Sequence, residues 1–411
     1  MLRHLMKLIW KRKTRNLMLS LEILLAFVVV FAVAAFAARC WQLYQMPLGF
    51  RYDNVWSVSL QVAERSGLPD NNVAASDDSA TFDNLKRTLQ ALPEVEQVGF
   101  AQFAPYSSST HRTDFTLPDG RARVTSNLLK VSDGYFDTLG LTLLEGRWFS
   151  AADDGTSSTP VVINRSMAQT LAPGQSALGK EFTDGGSKEA GKRRYKVTGV
   201  IADYRDNGEL MLPVNYTLIR QPASMHAGRA EDGVGALLLR LKPGTPRTFE
   251  ARLNRQLKAV RNDWGYQISP LADVRSSLLR VQIVPLLVLS VIGAFLLVMV
   301  AFGLFGVLWQ NTTQRIPEIG LRRAVGANGA DIYLQIIAEQ LLLSSVAMGL
   351  AQLLLVQLPL TGALGGNLNW AVFGAATFMA SAVIYATSLL CALYPGWRAS
   401  RLSPTQALHY E

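Results

Sequence analysis

Hydrophobic positions along this chain follow two kinds of pattern. Four runs are apolar with little interruption: residues 17–38, 284–309, 332–358 and 370–394. A helix rises about 1.5 Å per residue, so the first run reaches about 33 Å, enough to cross a hydrocarbon core about 30 Å thick. Each run is therefore predicted to be a transmembrane helix. Residues 39–283, between the first and second runs, instead mix apolar and polar positions on the short periods of a folded, water-facing domain.

Within that insert the pattern predicts a mixed α/β fold. Residues 55–62 alternate as in a half-buried strand. Phe82, Leu85 and Leu89 share one helical face over 81–91, Pro93 ends that helix, and 95–103 returns as a strand. A second strand–helix–strand unit is predicted over 236–241, 246–260 and 266–269. Between the two units, about 105–225, the chain is turn-rich, and Asp119-Gly120 and Gly185-Gly186 mark hairpins. One subdomain is thus expected from the two ends of the insert, with another inserted in it. Residues 271–282 look helical and run into the second span.

The predicted fold class is a membrane α-helical protein of four transmembrane helices. A large mixed α/β extracytoplasmic domain of two subdomains is inserted between the first and second. The expected order is a lead-in helix (1–16), the first span (17–38), the α/β domain (39–283), the second span (284–309), a loop and helix (310–331) and the third span (332–358). A short loop (359–369), the fourth span (370–394) and a tail (395–411) complete it. Leu2, Leu5, Met6, Ile9 and Trp10 recur at helical spacing among basic residues, as in a helix lying in the membrane interface. In the 310–331 loop, Pro317 suits a first helical turn and Gly326 an end, with Ile319, Ala324 and Val325 as apolar positions and Arg322 and Arg323 expected exposed.

Charge orients this layout. The chain is 49% hydrophobic and 17% charged, with a net charge of +9. Residues 1–16, the 310–331 loop and the tail together hold 11 basic and 3 acidic residues, against 29 and 26 in the insert. An excess of Lys and Arg in short loops beside the spans places them, and both termini, in the cytoplasm. The α/β domain is then extracytoplasmic, and no nucleic-acid partner is expected, because the surplus charge lies beside the membrane. The first run is too long for the core of a cleaved signal peptide, and no small-residue cleavage site follows it. Cys40 and Cys391, the two cysteines, fall at opposite ends of their spans and on opposite sides of the bilayer, too far apart for a disulfide.

Catalytic chemistry is not visible. Gly174-Gln-Ser-Ala-Leu-Gly-Lys180 has phosphate-loop spacing, but Glu181 stands where a Ser or Thr holds magnesium, so a surface turn is expected. His4, His111, His226 and His409 have no partner at metal-ligand spacing. Catalytic, cofactor and metal sites are all expected to be absent from this chain. Glu22 and Glu339 are intramembrane polar candidates, since ionisable groups in spans are costly. Both lie about 8–11 Å from the start of their runs by helix rise, and a structural role is the expectation. Ser345/Gly349 and Ala34/Ala38 are small pairs four apart, which permit close helix packing.

Pro317-Glu-Ile-Gly-Leu-Arg-Arg-Ala-Val-Gly-Ala327 resembles the cytoplasmic coupling segment of the MacB/FtsX family of ABC permeases. Glu339-Gln-Leu-Leu-Leu-Ser344 is similar to the start of that family's third span, and Tyr394-Pro-Gly-Trp-Arg-Ala-Ser-Arg-Leu-Ser-Pro404 with Ala407-Leu-His-Tyr-Glu411 to its C-terminal signature. Val131-Ser-Asp-Gly-Tyr-Phe136, Gly146-Arg-Trp-Phe149, Ala177-Leu-Gly-Lys180 and Val197-Thr-Gly-Val-Ile-Ala-Asp203 resemble the MacB-type periplasmic domain. The resemblance implies a multi-pass protein of the bacterial inner membrane, in contact with its lipid. It implies an export permease, not itself an enzyme, that transmits the motion of cytoplasmic ABC ATPase subunits to its periplasmic domain. ATP and magnesium would be bound by that ATPase, expected as a separate subunit because only 16 residues precede the first span. A second permease chain is implied, as homodimer or heterodimer, and for MacB-type members a periplasmic adaptor and an outer-membrane channel. Pro317, Glu318, Ile319, Gly320, Leu321, Arg322, Arg323, Val325 and Gly326 are the implied coupling residues, with Ile319, Leu321 and Val325 as candidate contacts. An FtsX-like regulator that activates a periplasmic enzyme and moves no substrate is the alternative.

Overall fold

The computed structural model of the chain describes residues 13–62, 78–107, 109–117, 123–153, 155–184, 193–221, 226–227 and 233–401. They form two compact units, residues 13–42 with 283–401 and the described residues of 43–282. The lead-in over 1–12, Asp119-Gly120, Gly185-Gly186 and the tail beyond 401 lie outside the described residues.

In the first unit, four helices are long and apolar enough to cross a membrane: Met18–Tyr44, Leu271–Gln314, Gly329–Thr361 and Trp370–Ser400. They are the first to fourth spanning helices. The first begins at Lys13, so charged residues extend the helix before its apolar run. Leu271–Gln314 is one helix of 44 residues and carries Pro285, which has no N–H for the carbonyl of Val281. Phe27 and Phe31 of the first helix, Leu304 and Leu308 of the second, Ala347 and Ala351 of the third and Ala376 and Ala380 of the fourth share one core. The alanines let the third and fourth helices approach closely. Ser344 and Ser388 meet across that contact, hydroxyl to hydroxyl at 2.8 Å, and the Gln340 amide donates to Ser344 at 3.4 Å. Both are fully buried, so each hydroxyl needs this partner. Close packing is not the role of Ser345/Gly349. Ser345 meets the Tyr385 hydroxyl at 2.7 Å, and a Cβ at Gly349 would touch nothing within 4 Å.

The second unit is mixed α/β. Its elements are β1 (Val55–Gln61), α1 (Ser79–Gln90), β2 (Val95–Ala101), β3 (His111–Thr116), β4 (Arg123–Val131), α2 (Tyr135–Leu139), β5 (Leu143–Gly146), β6 (Thr159–Asn164) and α3 (Arg165–Leu171). They continue with β7 (Glu181–Asp184), β8 (Arg194–Ile201), β9 (Tyr216–Arg220), β10 (Ala236–Leu241), α4 (Phe249–Val260) and β11 (Gly265–Pro270). The two predicted strand–helix–strand units, β1-α1-β2 and β10-α4-β11, interleave as an antiparallel sheet ordered β11-β1-β10-β2. Phe82, Leu85 and Leu89 of α1 and Leu253 and Leu257 of α4 cover one face with Trp56, Val58, Phe100, Leu237 and Leu239. The other face is also covered, so β10 is buried almost throughout, which accounts for its unbroken Ala-Leu-Leu-Leu run.

The middle strands close on themselves. Pairing runs β4-β3-β7-β8-β6-β9, and β9 returns to β4 in parallel, with β5 beside β8. Phe115, Phe182 and Tyr195 pack edge and face at 4.9–5.6 Å inside this ring. Where the ring meets the first sheet, Ala101 pairs with Val131. Gly134 allows α2 to sit against β2, since a Cβ there would strike the Val98 carbonyl. Tyr135 then reaches the Tyr204 hydroxyl at 2.7 Å in full burial, and burial raises both phenols above the ordinary range. Asp206 nearby is pushed up to about 6, chiefly by burial.

The loop after β8 fastens both chain ends of this unit. Arg205 is 3% exposed, and its guanidinium donates to the carbonyls of Leu43 and Met46 at 3.0 Å each, of Met211 at 2.7 Å, and of Glu209. The Glu209 carboxylate pairs with Arg275, and Asn207 accepts from the Gln282 amide at 3.3 Å. One loop thus ties residues 43–46 and 275–282 together within this unit.

Candidate functional site

The short helix Ile316–Ala324 follows the second spanning helix after a break at Arg315. Pro317 lies in its first turn with Glu318, where the helix dipole favours an acid, and Arg322 and Arg323 lie in its last turn. Gly326, at φ +104°, turns the chain out of it, a conformation that L side chains rarely adopt.

Two apolar stripes run along this helix. Ile316, Ile319 and Gly320, at i, i+3 and i+4, are buried, and Ile319 packs on Ile332 of the third spanning helix and Ala399 of the fourth. Leu321, Ala324 and Val325 have the same spacing and face outward, Leu321 being 61% and Val325 83% exposed. Ile319 is therefore a packing residue of this chain and not an available contact. Arg322 and Arg323 are half-buried instead of exposed.

A polar chain ties the helix to the third span. Arg322 donates to Glu318 at 2.6 Å and to the Gln335 amide oxygen at 3.0 Å. Gln335 donates to Glu339 at 3.0 Å, and Glu339 accepts from Arg315 at 2.6 Å. These residues line a cavity of ≈ 80 Å³ with Leu19, Asn311 and Thr312. Glu339 is ten residues into its helix, beyond the reach of the helix N-terminus, so Arg315 and not the dipole is its counter-charge. Glu22 is not joined to this chain. Its carboxylate lies against Gly303 of the second span, which has no side chain in the way. Arg315 was not singled out from the sequence, although Gln335 and Glu339, four apart on one helix face, are a signal for a polar partner.

Gly174–Lys180 connects α3 to β7, the reverse of the strand–loop–helix order that a phosphate loop needs. Its Ser176 hydroxyl donates to Glu145 at 2.7 Å and Lys180 to Gln175 at 3.4 Å. Among the described residues no group of three His, Cys, Asp or Glu could hold a metal. Cys40 and Cys391 are both free.

A family model for the MacB-like periplasmic core domain matches residues 21–256, and one for the FtsX-like permease C-terminal matches residues 290–404. Among curated proteins, the chain is 25% identical to the uncharacterized ABC transporter permease YvrN of Bacillus subtilis (strain 168), over 98% of this chain and 97% of that one. It is 24% identical to the macrolide export ATP-binding/permease protein MacB of Aggregatibacter actinomycetemcomitans, over 70% of this chain and 44% of that one. The chain thus spans less than half the length of that MacB relative. Among solved structures, the periplasmic region of MacB from Actinobacillus actinomycetemcomitans aligns with 57% of this chain and 97% of its own at 17% identity and a TM-score of 0.38.

Proposed function

We infer a role from the family: this chain belongs to the ABC permeases that join a MacB-like periplasmic core domain to an FtsX-like permease C-terminal domain. The reading is a permease subunit of an export complex in the bacterial inner membrane. A separate ABC ATPase binds ATP and magnesium, and the permease passes the ATPase's motion to its α/β domain. One observation carries this reading. Helix Ile316–Ala324 holds one apolar stripe inside its own chain and turns another, Leu321, Ala324 and Val325, outward at a break between two spans. A free apolar stripe on a helix locked to the third span fits a docking element that receives force. The Arg205 loop supports the far end of the same path, since it grips the ends of two spans within the α/β unit.

In this reading the α/β unit is two subdomains, the interleaved sheet and the closed ring, and it faces the periplasm. Both termini face the cytoplasm in this reading, which the 11 basic residues in the short segments support. A second permease chain is part of the complex. The second span supports this, with only 6% of its apolar window buried inside this chain. The complex exports a substrate, with an adaptor and an outer-membrane channel as further partners, as the family resemblance implies.

The orientation is tested by thiol labelling on a background without Cys40 and Cys391. Gln169→Cys, exposed on α3, is expected to react with an impermeant maleimide in spheroplasts, and Asn328→Cys only after lysis. Labelling of Asn328→Cys in intact spheroplasts reverses the topology. The energy source is tested on the purified chain. Alone it is expected to neither bind nor hydrolyse ATP, and to acquire hydrolysis only when co-purified with an ABC ATPase. Saturable ATP binding by the chain alone overturns the separate-subunit reading.

A further inference from the structure

At the ends of the second and fourth spanning helices, arginines and aromatic rings are stacked. Arg398 lies over the Trp309 ring at 4.4 Å from its centroid, and Arg401 over Trp397 at 4.4 Å. Trp309 stacks on Tyr394 at 5.8 Å with 7° between planes, and Tyr394 on Trp397 at 6.2 Å. Elsewhere on this end of the unit Arg315 pairs with Glu339 and Arg322 with Glu318. Arg398 and Arg401 are exposed and face no carboxylate among the described residues.

A guanidinium whose central carbon lies over a ring, with no carboxylate facing it among the described residues, has N–H donors to offer. Those donors suit the paired oxygens of a phosphate. Thr312, Thr313 and Ser400 are already engaged, donating to the carbonyls of Leu308, Trp309 and Trp397 at 2.8, 2.9 and 2.7 Å. A small cavity beside Arg398, lined by Trp309, Thr312, Ile316 and Pro395, opens next to the cation. Below it, toward the middle of the fourth helix, Leu390 is 67% and Leu393 37% exposed, with Tyr394 at 50% and Trp397 at 47%. A cationic rim, a belt of aromatic rings and an apolar stripe thus follow in the order of a phospholipid's headgroup, interface and acyl chain.

We propose that Arg398 and Arg401, stacked on Trp309 and Trp397, form a binding site for the phosphate headgroup of an anionic membrane phospholipid. The site lies between the ends of the second and fourth spans, and its acyl chains rest on the outer face of the fourth. The unneutralised charge selects a net-negative headgroup over a zwitterionic one. The site needs neither a partner ATPase nor a particular orientation, so it goes beyond the reading above.

The test uses the full chain, delipidated in detergent, and native mass spectrometry with added phosphatidylglycerol or phosphatidylcholine. Phosphatidylglycerol is expected to be retained at least fivefold over phosphatidylcholine. Arg398→Gln/Arg401→Gln should fall to the phosphatidylcholine level, while Arg255→Gln/Lys258→Gln, which removes the same charge from exposed α4 positions, should not. Arg398→Lys/Arg401→Lys keeps the charge but not the planar donor fork, and is expected to regain only part of the preference. A Gln pair whose lost retention comes with a melting temperature well below that of the native chain reflects damage to the fold and overturns the proposal. Equal retention of both lipids by the native chain also overturns it. So does displacement of the lipid by millimolar inorganic phosphate, which marks a bare anion site. Unchanged lipid retention in the Gln pair with lost co-purification of the ATPase makes the patch a protein dock instead.

Discussion

Replacing Leu321 and Val325 together with serine is expected to leave the permease folded and inserted, and to remove most of its stimulation of the partner ATPase. The two side chains are 61% and 83% exposed and contribute nothing to the core of this chain. Serine at both positions changes no charge, so the basic surplus that orients the spans is intact. If the pair docks in a groove, each buried side chain contributes about 1.5–3 kcal/mol. Loss of both should weaken assembly about 100-fold or more, at roughly 1.4 kcal/mol per tenfold. Ile319→Ser is the contrasting substitution. Ile319 is 6% exposed against Ile332 and Ala399, so serine there should lower the permease's own melting temperature. Affinity between detergent-purified permease and ATPase, with hydrolysis in proteoliposomes, checks both. Wild-type affinity and hydrolysis in the Leu321/Val325 variant would assign the outward stripe to lipid or solvent.

This contrast marks what could be seen in the chain itself. The four spans are legible because a single continuous apolar segment of that length satisfies its own backbone in hydrocarbon only as a helix. The helical face of Phe82, Leu85 and Leu89 is legible from its spacing, whereas the run Ala236–Leu241 is told from a buried helix by its short length and not by its period. Helix Ile316–Ala324 is different. Spacing identifies two apolar stripes, and both are valid helix faces, so only packing against Ile332 and Ala399 decides which one turns inward. The closed ring of strands is not legible either. The β4–β9 pair joins Asn127 to Tyr216 across most of the turn-rich segment, and no local signal announces so distant a pairing. No local pattern joins Glu339 to its counter-charge either, since Arg315 lies 24 residues earlier across a helix break.

That ion pair yields the second large effect. Glu339→Ala is expected to destabilise the permease by about 3 kcal/mol, because Arg315 is left mostly buried without an acid. Arg315→Met/Glu339→Leu removes both charges and fills similar volume with apolar groups. Replacing a whole buried pair in this way is often neutral or stabilising, so the double variant should recover most of the lost stability. Recovery of coupling is a separate matter. Glu339 also accepts from Gln335, which in turn accepts from Arg322 at 3.0 Å, and leucine cannot anchor that chain. If helix Ile316–Ala324 moves the third span through these bonds, the double variant should bind the ATPase normally, melt near the wild-type temperature and still stimulate hydrolysis weakly. Thermal unfolding in detergent read beside ATP hydrolysis in proteoliposomes separates the two roles. A double variant that regains both stability and stimulation would show that the polar chain only packs the helix, and that apolar contact through Ile316 and Ile319 is enough to transmit the movement.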